Sequence, residues 1–271
     1  MIRVERVHDG VRLEFVEGGD VARLVMERGD APLNVFTPPQ VEAMSEAVEA
    51  LAGDVGALVL YGEPEFSGGA DLRSVESAPE EMRAAKVDTI AAASNRFIRT
   101  LRRFPAPVIA AVSGVAAGGG LGFTLACDLV VLHRDAVLDT GYARVGLTPD
   151  NATPFFLAKT VGPYRARELL FDPRPIDAAE AVEMGLANRR IDRPDDEFVD
   201  AATEWAASLA DGPTTVYEET KALIDSTFAG RLDEHLEEER DTIKRVSDSA
   251  VFEEGLAAFM DDRDPEWDKD G

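Results

Sequence analysis

Cysteine is almost absent. The one thiol, Cys127, lies in an apolar run, which excludes an intrachain disulfide and a cysteine-built metal cluster. Histidine is scarce: His8, His133 and His235 stand far apart, with no metal-ligand spacing and no triad pattern. Lysine is scarce too, with only Lys86, Lys159, Lys221, Lys244 and Lys269. The 28 basic residues face 52 acidic ones, for a net charge of −24. A phosphate-binding face needs clustered positive charge, so nucleic acid is disfavoured as a partner. The acids are spread along the chain and the apolar patterning is intact. The balance therefore describes a solvated acidic surface suited to high salt rather than disorder. The expectation is a cytoplasmic protein of a high-salt organism. The opening Met1-Ile2-Arg3-Val4-Glu5 is charged and strand-like, so no secretory leader is expected there. Long apolar runs are also missing, apart from the charge-free residues 105–127. Clustered glycines and Pro105-Ala106-Pro107 make that stretch a poor lipid-facing helix, and no second span exists, so no membrane partner is expected.

What the chain does have is core. Of 271 residues 45% are hydrophobic, enough for one large domain or one domain with an appendage. Strands are expected over 2–7, 11–16 and 21–26. The turns Asp9-Gly10 and Gly18-Gly19-Asp20 between them suit antiparallel hairpins. Thr37 with Pro38-Pro39 opens a helix to about Ala52, carrying Val41, Met44, Val48 and Leu51 on one face. A buried strand over 57–61 and a glycine loop over 62–71 follow. An acidic, mobile-looking segment over 76–83 leads into a long helix that Pro105 stops. Further on, 137–142 reads as extended. Thr153 and Pro154 form a cap and first-turn pair for a helix ended by Gly162, and Pro163 starts the next, which runs to about Phe171. Asp177 caps a helix over 178–184, and 186–191 reads as a strand. From 196 onward only helices are expected, over 197–210, 214–228, 232–247 and 249–260. Strand–helix alternation argues for an α/β fold with parallel pairings. The division falls between an α/β core over 1–195 and a helical region over 196–271.

One stretch organises the rest: Ser113-Gly114-Val115-Ala116-Ala117-Gly118-Gly119-Gly120-Leu121-Gly122. It reads as strand, glycine turn, helix. Glycines at a helix start expose N–H groups that have no internal partner and sit at the positive end of the dipole. Such a place suits an anion, or an oxygen that becomes negative during a reaction. A Walker loop would need a lysine after the glycines, and a dinucleotide fingerprint would need a small residue at Phe123; both fail. Close helix–strand packing without chemistry stays open on glycine content alone.

The pattern resembles the crotonase, or enoyl-CoA hydratase/isomerase, superfamily. The carrying segments are Phe66-Ser67-Gly68-Gly69-Ala70-Asp71-Leu72, the stretch from Pro107 through Gly120, and Ala126-Cys127-Asp128. Val145-Gly146-Leu147-Thr148-Pro149-Asp150, Ala179-Glu180-Ala181-Val182-Glu183-Met184-Gly185-Leu186-Ala187 and Phe252-Glu253-Glu254-Gly255-Leu256-Ala257-Ala258-Phe259 complete it. The matches cover nearly the whole chain in order. The resemblance implies a crotonase-like spiral of ββα units with a C-terminal helical oligomerisation region that builds trimers or dimers of trimers. It implies an acyl-CoA thioester as substrate, with coenzyme A as part of that substrate and no separate cofactor or metal. By motif, the Ala70 and Gly119 N–H groups hold the thioester oxygen as it becomes an enolate. Gly69, Ala70, Asp71 and Leu72 would meet the CoA, as would Gly118, Gly119 and Arg28. Phe259 and Arg263 on the last helix would reach a neighbour's CoA.

The acid–base set departs from the hydratases of that superfamily. Their two glutamates fall at Gly122 and Tyr142 here. One acid remains in the right loop, Asp150. The Gly146-Leu147-Thr148-Pro149-Asp150 segment resembles aspartate-using isomerases and 4-chlorobenzoyl-CoA dehalogenase. The dehalogenase's histidine base falls at Asn95, and its ring-stacking tryptophans at Ser94 and Tyr142. Asp150 is therefore the candidate proton carrier, set against a plain helix N-cap. Tyr142 either donates a hydrogen bond in the pocket or only packs there. Asp71 and Asp128 read as structural and Asp139 as a spare acid. An isomerase is the leading expectation; a hydratase and a non-catalytic acyl-CoA-binding homologue are the alternatives.

Overall fold

A computed structural model describes residues 2–16, 18, 20–29, 31–227 and 232–266. Met1, Gly19, Phe228 and Lys269, named above, lie outside the described residues. Strands β1 (Arg3–His8), β2 (Val11–Phe15) and β3 (Val21–Glu27) form an antiparallel meander, as the two turns require. Helix α1 (Pro38–Ala50) opens with a reciprocal cap between Thr37 and Gln40 and crosses over to β4 (Ala57–Glu63), which is parallel to β3. Helices α2 (Leu72–Glu76) and α3 (Glu80–Arg103) lead to β5 (Val108–Val112). Then come β6 (Val115–Ala117), α4 (Gly119–Ala126), β7 (Leu129–His133) and β8 (Val137–Asp139). Helix α5 (Thr153–Phe171) is broken at Gly162, whose φ is +77°. Strand β9 (Ile176–Asp177), helix α6 (Ala178–Glu183), strand β10 (Arg189–Ile191) and helices α7 (Asp195–Ala210), α8 (Thr214–Ser226), α9 (Leu232–Val246) and α10 (Ala250–Met260) complete the chain.

Two sheets result. The larger runs β1-β2-β3-β4-β5-β7-β10 and the smaller β6-β8-β9. Each turn of the chain adds a strand to the first sheet and a short step to the second. The bridges Phe36–Ala70 and Ser67–Ala116 extend the second sheet's pattern to earlier turns. That is a spiral of ββα units. Strands β3, β4 and β5 are buried on both faces, so they read as near-continuous apolar runs. Alternate residues pack to opposite sides: Leu24, Leu58 and Leu60 toward α1 and α3, Val25, Val59 and Ile109 toward Phe198, Ala202 and Ala206 of α7.

Three local expectations change. The segment over 76–83 is not mobile-looking but lies mostly in α2 and α3, with Arg83 ion-paired to Glu253 of α10. Thr153 is not the cap of α5. It is the first helical residue, and the cap position belongs to Ala152, which is left-handed and makes no side-chain cap bond. The strand expected from Leu186 begins only at Arg189. The Leu186 and Ala187 N–H groups turn back to the Ala181 carbonyl at 2.8 and 3.3 Å, closing α6 instead. Asp177, by contrast, does cap α6, accepting from the Glu180 N–H at 2.9 Å.

Candidate active site

The central glycines lie where two parallel segments run side by side. The Ser67 N–H donates to the Val115 carbonyl and the Ala117 N–H to the Ser67 carbonyl, both at 2.9 Å. That register sets Ser67 opposite Ala116. Beyond that pairing both segments turn, at Gly69 (φ +96°) and at Gly118. A Cβ on Gly69 would stand 3.2 Å from the Gly119 nitrogen, so the two segments touch. Gly118 makes the turn at φ +50°, a conformation side chains resist. Among the described residues neither the Ala70 nor the Gly119 N–H donates to a protein acceptor. Both border a cavity of about 260 Å3. N–H groups without partners are rare inside a protein, and these two face the same cavity.

The cavity walls are mostly apolar, including Leu72, Val87, Ile90, Ile243 and Phe259. Polar side chains are few and come from the end of β8 and the loop after it. Asp150 is 6% exposed. Its carboxylate accepts a hydrogen bond from the Tyr142 hydroxyl at 2.9 Å. Burial, then the charge of Glu239, pushes the Asp150 carboxyl up to about 7, while the Tyr142 bond opposes the rise. Burial and the Asp150 charge hold Tyr142 well above the usual phenol range, so it stays a donor. A carboxyl near neutrality beside two bare N–H groups can both take and give a proton. Asp150 makes no side-chain cap bond to α5, which removes the cap alternative. Tyr142 is more than packing, because its hydroxyl is the donor to Asp150.

The loop itself is unusual. Asn151 and Ala152 both have positive φ, 55° and 53°. This conformation costs a non-glycine residue free energy and persists where the surroundings enforce it. Here the Ala152 N–H donates to the buried Glu239 carboxylate at 2.8 Å. The turn lays Asn151 over Gly122. A Cβ on Gly122 would fall 2.5 Å from the Asn151 Cβ and 2.6 Å from its carbonyl oxygen. Asn151 is buried, lines the cavity, and its Oδ1 has no hydrogen-bond partner among the described residues.

A family model described as enoyl-CoA hydratase/isomerase matches residues 17–270. The chain belongs to the enoyl-CoA hydratase/isomerase family. This acyl-CoA enzyme family includes relatives of more than one chemistry. The chain is 31% identical to the 1,2-epoxyphenylacetyl-CoA isomerase of Escherichia coli, over 94% of its own length and 97% of the relative's. It is 35% identical to 4-chlorobenzoyl coenzyme A dehalogenase-1 of an Arthrobacter species, over 79% and 78%. Among solved structures, an enoyl-CoA hydratase from Mycobacterium avium subsp. paratuberculosis superposes with a TM-score of 0.84 at 30% identity, over 96% and 99% of the two chains. The crotonase fold and superfamily expected from the motifs are thereby established.

Of the residues singled out in the sequence of this family member, Gly69, Ala70, Leu72, Gly118, Gly119, Tyr142, Asp150 and Phe259 all border the one cavity. Asp139 joins them, paired with Arg144 at 2.5 Å. Phe259 borders this cavity and is also exposed. Arg28 and Asp71 form an ion pair at 2.8 Å and are not among the lining residues. Arg263 is also outside it, held by both Glu254 carboxylate oxygens at 2.6 and 3.0 Å. Asp128 is structural: it accepts from the Val108 N–H and pairs with Arg102 and Lys221. Sequence reasoning missed Asn151, Glu239 and His235. Glu239 carried a signal: an acid on the apolar face of α9, between buried Leu236 and Ile243.

Proposed function

We propose that this family member is an enoyl-CoA isomerase that works through a thioester enolate, with Asp150 as its single acid–base. The acyl group enters the apolar cavity with its thioester oxygen between the Ala70 and Gly119 N–H groups. The Asp150 carboxylate takes a proton from C2. The electrons pass to the thioester oxygen, where each donor contributes roughly 3–4 kcal/mol. The same carboxyl, now protonated, returns the proton at C4, and the double bond moves. Coenzyme A participates only as part of the substrate, with Arg28, Asp71 and Leu72 as candidate contacts.

One observation carries the choice of isomerase over hydratase. Asp150 is the only unpaired acid bordering the cavity among the described residues, and the space beside Gly122 is already filled by Asn151. Hydration needs a positioned water as well as a proton donor, and the other acid bordering the cavity among the described residues, Asp139, is committed to Arg144. The acidic surface supports an assignment to high-salt cytoplasm, and the helical region over 196–271 one to trimer assembly.

The test is exchange in heavy water. Incubated with 3-enoyl-CoA thioesters, the protein should incorporate deuterium at C2 and C4. Hydroxylated product would make it a hydratase, and neither result a binder. Asp150→Asn should abolish exchange; exchange that survives it overturns the assignment.

A further inference from the structure

The buried carboxylate of Glu239 has no part in the proton transfer just described, yet it binds the backbone two residues beyond Asp150. Glu239 is 5% exposed. Its Oε2 accepts the Ala152 N–H at 2.8 Å. Its Oε1 lies 2.9 Å from His235 Nε2, off the line of an aligned hydrogen bond. His235 packs against the Phe155 ring at 5.6 Å, and Lys159 lies over the far part of that aromatic pair, 3.2 Å from the Phe155 centroid. Helix α9 is itself held on α3. Asn95 donates to the Leu236 carbonyl at 3.1 Å, and Arg240 clasps Asp88 at 2.8 and 3.0 Å.

A carboxylate is an expensive group to bury, and an apolar residue would suit this face of α9 better. What the carboxylate does here is local. It fixes the N–H of a left-handed alanine, and that alanine follows Asn151 and Asp150 in the loop that shapes the site. We propose that Glu239 is a positioning residue for the reaction: bonded to the Ala152 N–H, with the His235 imidazole beside it, it holds the left-handed turn that presents Asp150 and acts on the Asp150 carboxyl through its negative charge. The inference deepens the proposed function and rests on Asp150 being the acid–base.

The charged and titratable groups around Asp150 are few. Tyr142 comes from the 3-10 turn over 142–145, Glu239 and His235 from α9, Lys159 from α5, and the Asp139–Arg144 pair from across the cavity. Glu238 stands beside Glu239 on α9, and α4 carries no charged residue. Tyr142 and Glu239 therefore pull in opposite senses. The hydroxyl favours the Asp150 carboxylate by hydrogen bonding; the neighbouring negative charge disfavours it. Burial and the adjacent acid keep Glu239 itself above the usual carboxylate range, and its contact with His235 raises the imidazole.

Glu239→Gln keeps an acceptor for the Ala152 N–H and removes the charge. The Asp150 carboxyl can be titrated in the free protein by infrared difference spectroscopy, with Asp150→Asn identifying its band. In Glu239→Gln its midpoint should fall by about one pH unit. The acid limb of exchange with hexenoyl-CoA unsaturated at C3 should fall with it, raising the rate about tenfold below the limb. A midpoint that does not move overturns the proposal, as does a rate lowered equally at every pH. If Glu239→Gln does not fold, the reciprocal measurement decides. Interacting groups shift one another, so the Glu239 band should titrate lower in Asp150→Asn than in the unaltered protein; an unchanged midpoint overturns the inference. Loss of the acid–base reading shows separately, as exchange that survives Asp150→Asn.

Discussion

Replacing Asp150 by asparagine should remove activity and strengthen the fold, with a size that depends on pH. In the folded protein the Asp150 carboxyl titrates at about 7, against 3.8 in an exposed chain. The difference is about three units, and each unit corresponds to about 1.4 kcal/mol. Below pH 3.8 both folded and unfolded chains hold the proton, and the buried carboxyl carries no penalty. As pH rises, the unfolded chain releases its proton first, and the folded state loses ground. The loss is complete once pH passes about 7. It amounts to about 4 kcal/mol, a large part of a typical domain's stability. Asparagine is isosteric and neutral, and it still accepts the Tyr142 hydroxyl. Urea unfolding at fixed KCl, compared at pH 4 and pH 8, checks this. Asp150→Asn should match the parent at pH 4 and exceed it by about 4 kcal/mol at pH 8, with unchanged denaturant dependence. A gap that stays constant or narrows as pH rises would refute the picture of a desolvated, proton-holding carboxyl.

Three further outcomes are expected. Tyr142→Phe removes the donor to the Asp150 carboxylate, so the acid limb of C2 exchange should move up by about one pH unit, measured as a pH–rate profile. Gly122→Glu should not create a hydratase: its Cβ meets the Asn151 backbone, and overpacking should cost about 1–3 kcal/mol in a denaturation curve while hydroxylated product stays absent. With a net charge of −24, the thermal midpoint should climb from low to multimolar KCl as self-repulsion is screened; a flat response would count against a high-salt surface.

The large sheet and the C-terminal helices were legible because their signals are long. Strands β3 to β5 are near-continuous apolar runs, interrupted in β3 by Arg23, and α1 and α10 carry caps and stripes. The second sheet was not, because its members are two or three residues long or single bridges, too short to show any period. The glycine motif located Gly119, and the loop motif located Asp150. Glu239 escaped because its role is tertiary: it lies 87 residues from the N–H it binds. The misread Thr153 cap has a similar cause. The left-handed pair before it takes the chain into the helix without a side-chain cap, and no local propensity favours alanine there.

The pairing of Ser67 with Ala116 has a consequence for how this site tolerates change. The Ala70 and Gly119 N–H groups border one cavity because the turns beyond that pairing, at Gly69 and Gly118, lie against each other. Neither turn tolerates a side chain, and a Cβ at Gly119 would run into Asn151 and Phe36. Lengthening or shortening either segment between the pairing and its turn would part the two N–H groups while leaving the strands of the large sheet as they are. The two bare N–H groups are thus kept together by backbone at positions where only glycine fits.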